Sequence, residues 1–279
     1  MRTINRALAL IMLMGLCFCC KAGIPTGIPV AAPMNTELAG TTADLAIPSV
    51  FRVINRKIGS SGTGFLHKSG VILTAEHVIK DGTTNDVIVV TAAGEVVRIT
   101  NIVQDASLDL AALMPSHKMS GPVLEIATNA PLKVGMQVST WGFPEGYKGL
   151  RPLLTCGYIS GVDIPGKTVQ RIVVNAAFNR GNSGGPLVEV VNGTVIGVVC
   201  SKLAPLPPHV EHFLSVLKTN DSGVVFGTRD ADGTTGHITE GQIIEDVLQY
   251  LRSQTQLVIG YACFGDHLVQ FLRANKIEP

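Results

Sequence analysis

One serine sits in the run Asn179-Arg180-Gly181-Asn182-Ser183-Gly184-Gly185-Pro186-Leu187. Glycines on both sides of a hydroxyl residue let the backbone turn tightly and bring amide N–H groups close to a bound carbonyl. A serine hydroxyl is a weak nucleophile at its free pKa, so it needs a base and a third group to orient that base. A candidate base stands upstream in Ile72-Leu73-Thr74-Ala75-Glu76-His77-Val78, where a histidine follows an apolar strand. A candidate orienting carboxylate stands in Ser107-Leu108-Asp109-Leu110-Ala111, at the mouth of another strand. The order is His77, Asp109, Ser183, with separations of 32 and 74 residues. Such a set performs acyl transfer by nucleophilic attack.

Elements that could hold these residues are short and numerous. β-type segments run over Val50–Asn55, Gly62–His67, Val71–Thr74, Val87–Thr91, Glu95–Ile102 and Leu110–Met114, each bounded by Gly, Asn, Asp or Ser. A second group covers Gln137–Trp141, Leu153–Ile159, Arg171–Asn175, Pro186–Val190, Thr194–Cys200 and Gly223–Gly227. Two groups of this size predict an all-β fold of two antiparallel barrels side by side. Helical periodicity comes late. Val210–Lys218 and Ile238–Arg252 are predicted helices, the second with Thr239 and Gln242 as a capping box, and His267–Lys276 is a third short one.

These segments, with Ser61-Gly62-Thr63-Gly64-Phe65 before the histidine, resemble the trypsin/chymotrypsin superfamily. Within it they are most similar to the HtrA/Deg-type bacterial proteases, through Asn-Arg-Gly-Asn-Ser-Gly-Gly, Gly-x-Gly-Phe and Gly142-Phe143-Pro144-x-Gly146. The resemblance spans roughly residues 48–230. It implies two six-stranded antiparallel β-barrels with C-terminal helices. It also implies a serine endopeptidase in which Ser183 attacks the peptide carbonyl, His77 carries the proton and Asp109 holds the imidazole. The backbone N–H groups of Gly181 and Ser183 would form the oxyanion hole, and no cofactor or metal is implied. A non-catalytic binding module on the same fold is the alternative.

Departures from the family pattern set further expectations. Digestive members carry Asp before the nucleophile, to pair with a freshly cut N-terminal ammonium; Asn182 stands here, so activation by that ion pair is not expected. The position expected at the floor of the pocket before the scissile bond is Ala177, followed by Phe178, so no carboxylate waits for Lys or Arg. Cys200, Ser201 and Lys202 complete the expected pocket and rim, along the edge that would pair with substrate backbone. The residues after Arg252 are too few for a PDZ domain, and HtrA relatives are often trimers, which makes a homo-oligomer an expectation by analogy alone.

Composition bounds the rest. The chain has 279 residues, 46% hydrophobic and 15% charged, enough for a large core. A formal net charge of +1 gives no field to steer nucleic acid or an anionic membrane; the resemblance implies polypeptide substrates. Residues 1–22 read as a secretory signal peptide: Arg2 and Arg6, then an uncharged run from Ala7 to Cys20. That run is roughly 14 residues, short of the roughly 20 a membrane-spanning helix needs. An uncleaved anchor and a lipidated Cys17, Cys19 or Cys20 stay open as alternatives, so the protein is expected to be exported, periplasmic or secreted. Residues 23–47 read as a Pro/Gly-rich linker, 48–252 as the peptidase domain and 253–279 as a helical extension. Cys156, Cys200 and Cys263 imply neither a disulfide framework nor a zinc site. His209 and His212, in the long insertion 203–221, lack a third ligand in reach.

Overall fold

The structure is a computed structural model that describes residues 42–128, 131–163, 169–201, 208–220, 223–229, 235–254 and 259–279. The predicted signal segment and most of the predicted linker lie outside these residues. The last residues of that linker, from Thr42, join Pro48 and Ser49 in a helix, α1 (Thr42–Ser49), and Ala46 on it is buried. Burial in the core outweighs the helix-breaking character of Pro48 here.

Six strands close the first barrel: β1 (Val50–Asn55), β2 (Ser60–Leu66), β3 (Ile72–Thr74), β4 (Val87–Val90), β5 (Val96–Asp105) and β6 (Leu110–Pro115). Their order around the barrel is β1-β2-β3-β6-β5-β4. Alternation drives the pairing: Val87 and Val89 point inward from β4, and Val97 and Ile99 from β5, onto Val53, Ile72 and Leu113. A short helix, α2 (Glu76–Ile79), follows β3 and packs Val78 and Ile79 into this core.

The second barrel closes in the order β10-β11-β14-β9-β8-β7. Its members are β7 (Gln137–Gly142), β8 (Leu153–Asp163), β9 (Arg171–Val174), β10 (Pro186–Glu189), β11 (Val195–Ser201) and β14 (Gly260–Phe264). The two-barrel expectation holds, but its final strand must be corrected. Gly223–Gly227 does not enter the barrel. That region forms β12 (Val225–Arg229), which pairs only with β13 (Thr235–Thr239) in a separate hairpin. The sixth place belongs to β14, hydrogen-bonded to β11 on one side and β9 on the other. Ala262 and Cys263 are fully buried there, whereas Val224, Val225 and Phe226 are exposed.

The closing helix moves with it. Helix α4 (Glu240–Gln254), capped by Thr239 and Gln242 as predicted, follows the hairpin and lies near α3 (Pro208–Thr219). The helix that packs on the barrels is α5 (Gly265–Ala274), burying Leu268, Val269, Phe271 and Leu272. The barrel unit therefore runs past residue 252, and residues 260–274 are part of it. Among the described residues, no helix is long and apolar enough to cross a membrane.

Candidate active site

Strands β3 and β6 are antiparallel neighbours with Thr74 opposite Ala111. His77 lies three residues past Thr74 and Asp109 two residues before Ala111, so both emerge at the same end of one strand pair. Register therefore brings together residues 32 apart in sequence. His77 Nδ1 is 2.9 Å from both Oδ1 and Oδ2 of Asp109, and the His77 backbone N–H donates to Oδ1 at 3.0 Å. Asp109 holds a left-handed backbone conformation, φ +58°, which Asp tolerates better than most residues. With Nδ1–H donated to the carboxylate, the Nε2 lone pair is free to take a proton.

Ser183 comes from the other barrel, in the loop before β10. Its backbone carbonyl accepts from Thr63 N–H on β2 at 2.8 Å, which ties the loop to the first barrel. Gly184 N–H donates to Val199 O at 2.7 Å and fixes the loop to β11. Gly184 has φ +85°, and a Cβ there would stand 2.1 Å from Thr63 O, so only glycine fits between the two barrels. Ser183 Oγ donates to Cys200 O at 3.1 Å, and no hydrogen bond joins it to His77. A rotation about χ1 would turn the hydroxyl toward the imidazole. Both side chains face one cavity of about 630 Å³, whose walls include Ile58, Val78, Phe143, Tyr147 and Phe178.

Among the described residues, no carbonyl accepts the N–H groups of Gly181 and Ser183. Gly181 has φ +92°, and the carbonyl of Arg180 accepts from Glu145 N–H at 2.6 Å. In a trans peptide the C=O and N–H point opposite ways, so this bond turns the Gly181 N–H away from Glu145.

Thr63 is a residue whose part the motif alone does not reveal. Its Oγ1 donates to Gly181 O at 2.6 Å and accepts from Phe143 N–H at 3.1 Å. Its own carbonyl accepts from Thr74 Oγ1 at 2.7 Å. One fully buried side chain thus joins β2, the nucleophile loop and the loop after β7. Thr63→Val keeps the shape and leaves two buried backbone groups unpaired, which is expected to cost about 1–3 kcal/mol of stability. Urea unfolding checks this; an unchanged midpoint would mean the network is not under load.

The expected pocket residues divide. Phe178 is buried, lines the cavity and lays its ring against Gly260, where a Cβ would stand 2.1 Å from Cδ2. Ala177 is half-buried and does not line the cavity. The Cys200 side chain turns into the core instead of the pocket, and its thiol lies 3.5 Å from Arg171 Nη1. Burial pushes that thiol well above its ordinary pKa, which keeps it protonated and inert. Arg171 also donates to Leu108 O at 2.8 Å, steadying the residue before Asp109. Ser201 is described only as part of β11, and Lys202 lies outside the described residues. Asn182 is buried, and its Oδ1 finds no partner among the described residues. His209 and His212 flank Phe213 on α3 with ring centroids 6.2 Å away.

Comparison with known proteins agrees with the two-barrel fold. The family model described as "Trypsin-like peptidase domain" matches residues 62–198. A probable periplasmic serine endoprotease, DegP-like, from Bartonella henselae is 37% identical over 148 residues, covering 52% of this chain and 28% of the relative. The putative serine protease HhoA of Synechocystis sp. is 37% identical over 156 residues, covering 51% of this chain and 37% of its own. The chain thus spans about a third of the length of these relatives. The crystal structure of Rv3671c from M. tuberculosis H37Rv, in an inactive form, superposes with a TM-score of 0.50 at 25% identity, covering 82% of this chain and 99% of that one. Residues 62–198 thus match a trypsin-like peptidase domain, the two closed six-stranded barrels have the chymotrypsin-like fold, and the chain is similar to the HtrA/DegP serine proteases.

Proposed function

We propose that the protein is a serine endopeptidase that hydrolyses peptide bonds through an acyl-enzyme, with Ser183 as nucleophile, His77 as base and Asp109 as the group that orients His77. The observation that carries this reading is the Nδ1–carboxylate pair of His77 and Asp109 opening on the same cavity as Ser183. Ser183 Oγ attacks the carbonyl carbon while its proton passes to His77 Nε2. The imidazolium is stabilised by the Asp109 carboxylate. The oxygen that gains charge accepts the N–H groups of Gly181 and Ser183. Collapse of the tetrahedral adduct expels the amine, which takes the proton from Nε2, and water repeats the sequence to release the acid.

Labelling by an alkyl fluorophosphonate tests the reading. The wild-type chain is expected to gain one phosphonyl group on Ser183, and a folded chain that is not labelled would be the binding module instead. Exported substrates fit the predicted signal segment and the periplasmic designation of the Bartonella relative.

The side chain before the scissile bond is expected to be Ala, Val or a similar aliphatic. Phe178 supports this: its ring lies on Gly260 beside the nucleophile loop and takes up the volume that a deep pocket would need. A buried cation there would lack a counter-charge, which costs several kcal/mol. A peptide library should show cleavage after Ala and Val, and Phe178→Ala should extend it to Leu, Met and Phe. A wild-type profile led by Lys or Arg would contradict this assignment.

A further inference from the structure

Arg52, half-buried on β1 of the first barrel, reaches the loop 143–149 that follows β7 of the second. Its Nη2 donates to Tyr147 O at 2.8 Å and Gly149 O at 2.9 Å. Its guanidinium carbon lies 5.0 Å from the centre of the Phe143 ring. One planar cation therefore grips three residues of a single loop, a grip that suits guanidinium better than ammonium. The loop has no regular structure, and Gly146 in its middle has φ +83°.

That loop is bonded to the nucleophile segment. Glu145 N–H donates to Arg180 O at 2.6 Å, and the loop backbone presses on Gly181, where a Cβ would stand 2.2 Å from Phe143 O. The carbonyl of Arg180 and the N–H of Gly181 are the two ends of one trans peptide, so the partner of the first sets the aim of the second. The side chains of Arg180 and Glu145 add little to this restraint. They are exposed and 3.6 Å apart, and surface pairs of this kind are worth little.

We propose that Arg52 is a positioning residue for the oxyanion site: by holding the 143–149 loop it keeps Glu145 N–H on Arg180 O, and so keeps Gly181 N–H aimed at the developing oxyanion. The proposal rests on the reading of Ser183 and Gly181 given above. Arg52 also lines the cavity, so the rival role is direct contact with substrate. The two roles differ in what they stabilise. Positioning acts on the charged tetrahedral state, whereas substrate contact acts on bound peptide whatever its charge.

The test uses the full chain as wild type, Arg52→Met and Arg52→Lys. It measures kcat and KM on a library-derived peptide, and the affinities of the matching peptide aldehyde and peptide alcohol. The aldehyde forms a hemiacetal on Ser183 whose oxygen occupies the oxyanion site; the alcohol does not. Arg52→Met is expected to lower kcat by about 30- to 100-fold with KM within about threefold, below the full loss of one oxyanion donor. Aldehyde affinity should fall by the same factor, with alcohol affinity unchanged. Arg52→Lys keeps the charge but sets it on a side chain one bond shorter, without the planar group beside the Phe143 ring, so it should show the same aldehyde-selective loss at about three- to tenfold. If Arg52→Met does not fold, Arg52→Lys alone decides the matter. Unchanged kcat and aldehyde affinity, or equal weakening of aldehyde and alcohol, overturns the proposal while leaving the wild-type enzyme assignment intact. A wild type that neither turns over peptide nor takes up fluorophosphonate overturns both.

Discussion

Ser183→Ala is expected to lower kcat/KM by a factor of about 10⁴–10⁶, the range seen when the nucleophile of a catalytic triad is removed. The fold should not notice. The hydroxyl makes one hydrogen bond, to Cys200 O, while the loop is held by backbone bonds from Thr63 and from Gly184 that alanine leaves in place. Stability should stay within about 0.5 kcal/mol of wild type. Turnover of a library-derived peptide, measured beside the intact mass after fluorophosphonate treatment, checks both parts. Residual turnover above about one per cent of wild type would mean that another group is the nucleophile.

Asp109→Asn is the second large effect, a fall in kcat of about 10⁴. The present carboxylate accepts both the backbone N–H and the Nδ1–H of His77. An amide in its place can turn only one oxygen toward these donors, and its NH₂ group would favour the tautomer with a bare Nδ1 and a proton on Nε2. That proton blocks the transfer from Ser183. Asparagine accepts a left-handed backbone as readily as aspartate, so φ +58° is no obstacle to folding. Nitrogen NMR of His77 should report the exchanged tautomer in the variant. A variant within tenfold of wild type would remove Asp109 from the mechanism.

The sequence carried the first barrel almost strand for strand, because β1, β4 and the start of β5 alternate between buried and more open positions and its other strands are short apolar runs bounded by Gly, Asn, Asp or Ser. The same signal set His77 just past one strand and Asp109 at the mouth of another, and the family resemblance joined them to Ser183. The sixth strand of the second barrel was missed. Gly260-Tyr261-Ala262-Cys263-Phe264 is short and abuts the helical pattern of α5, whereas Val224, Val225 and Phe226 form a more obvious apolar run. Only the partners in space decide between two such runs, and those are β9 and β11. The helix that begins at Thr42, inside the expected linker 23–47, is hidden for a related reason, since Pro48 argues against a helix locally and the burial of Ala46 argues for one globally. The parts played by Thr63 and Arg52 are illegible in one dimension. Thr63 meets Gly181 across 118 residues, and Arg52 meets Tyr147 across 95. No local pattern records bonds that exist only once two barrels are side by side.

The late position of β14 has a consequence for how the molecule comes into being. Its neighbours β9 and β11 end at Val174 and Ser201, yet β14 itself begins only at Gly260. On the ribosome, the first barrel can close while the second still has two open edges, and such edges invite pairing with other chains. Bringing the ends of so long a loop together raises the contact order and slows the last step of folding. Gly260, the surface on which Phe178 rests, arrives with that same strand. A chain made only as far as Ser201 therefore carries His77, Asp109 and Ser183 before it has a finished wall beside them, and the cleft matures only once Gly260–Phe264 is in place.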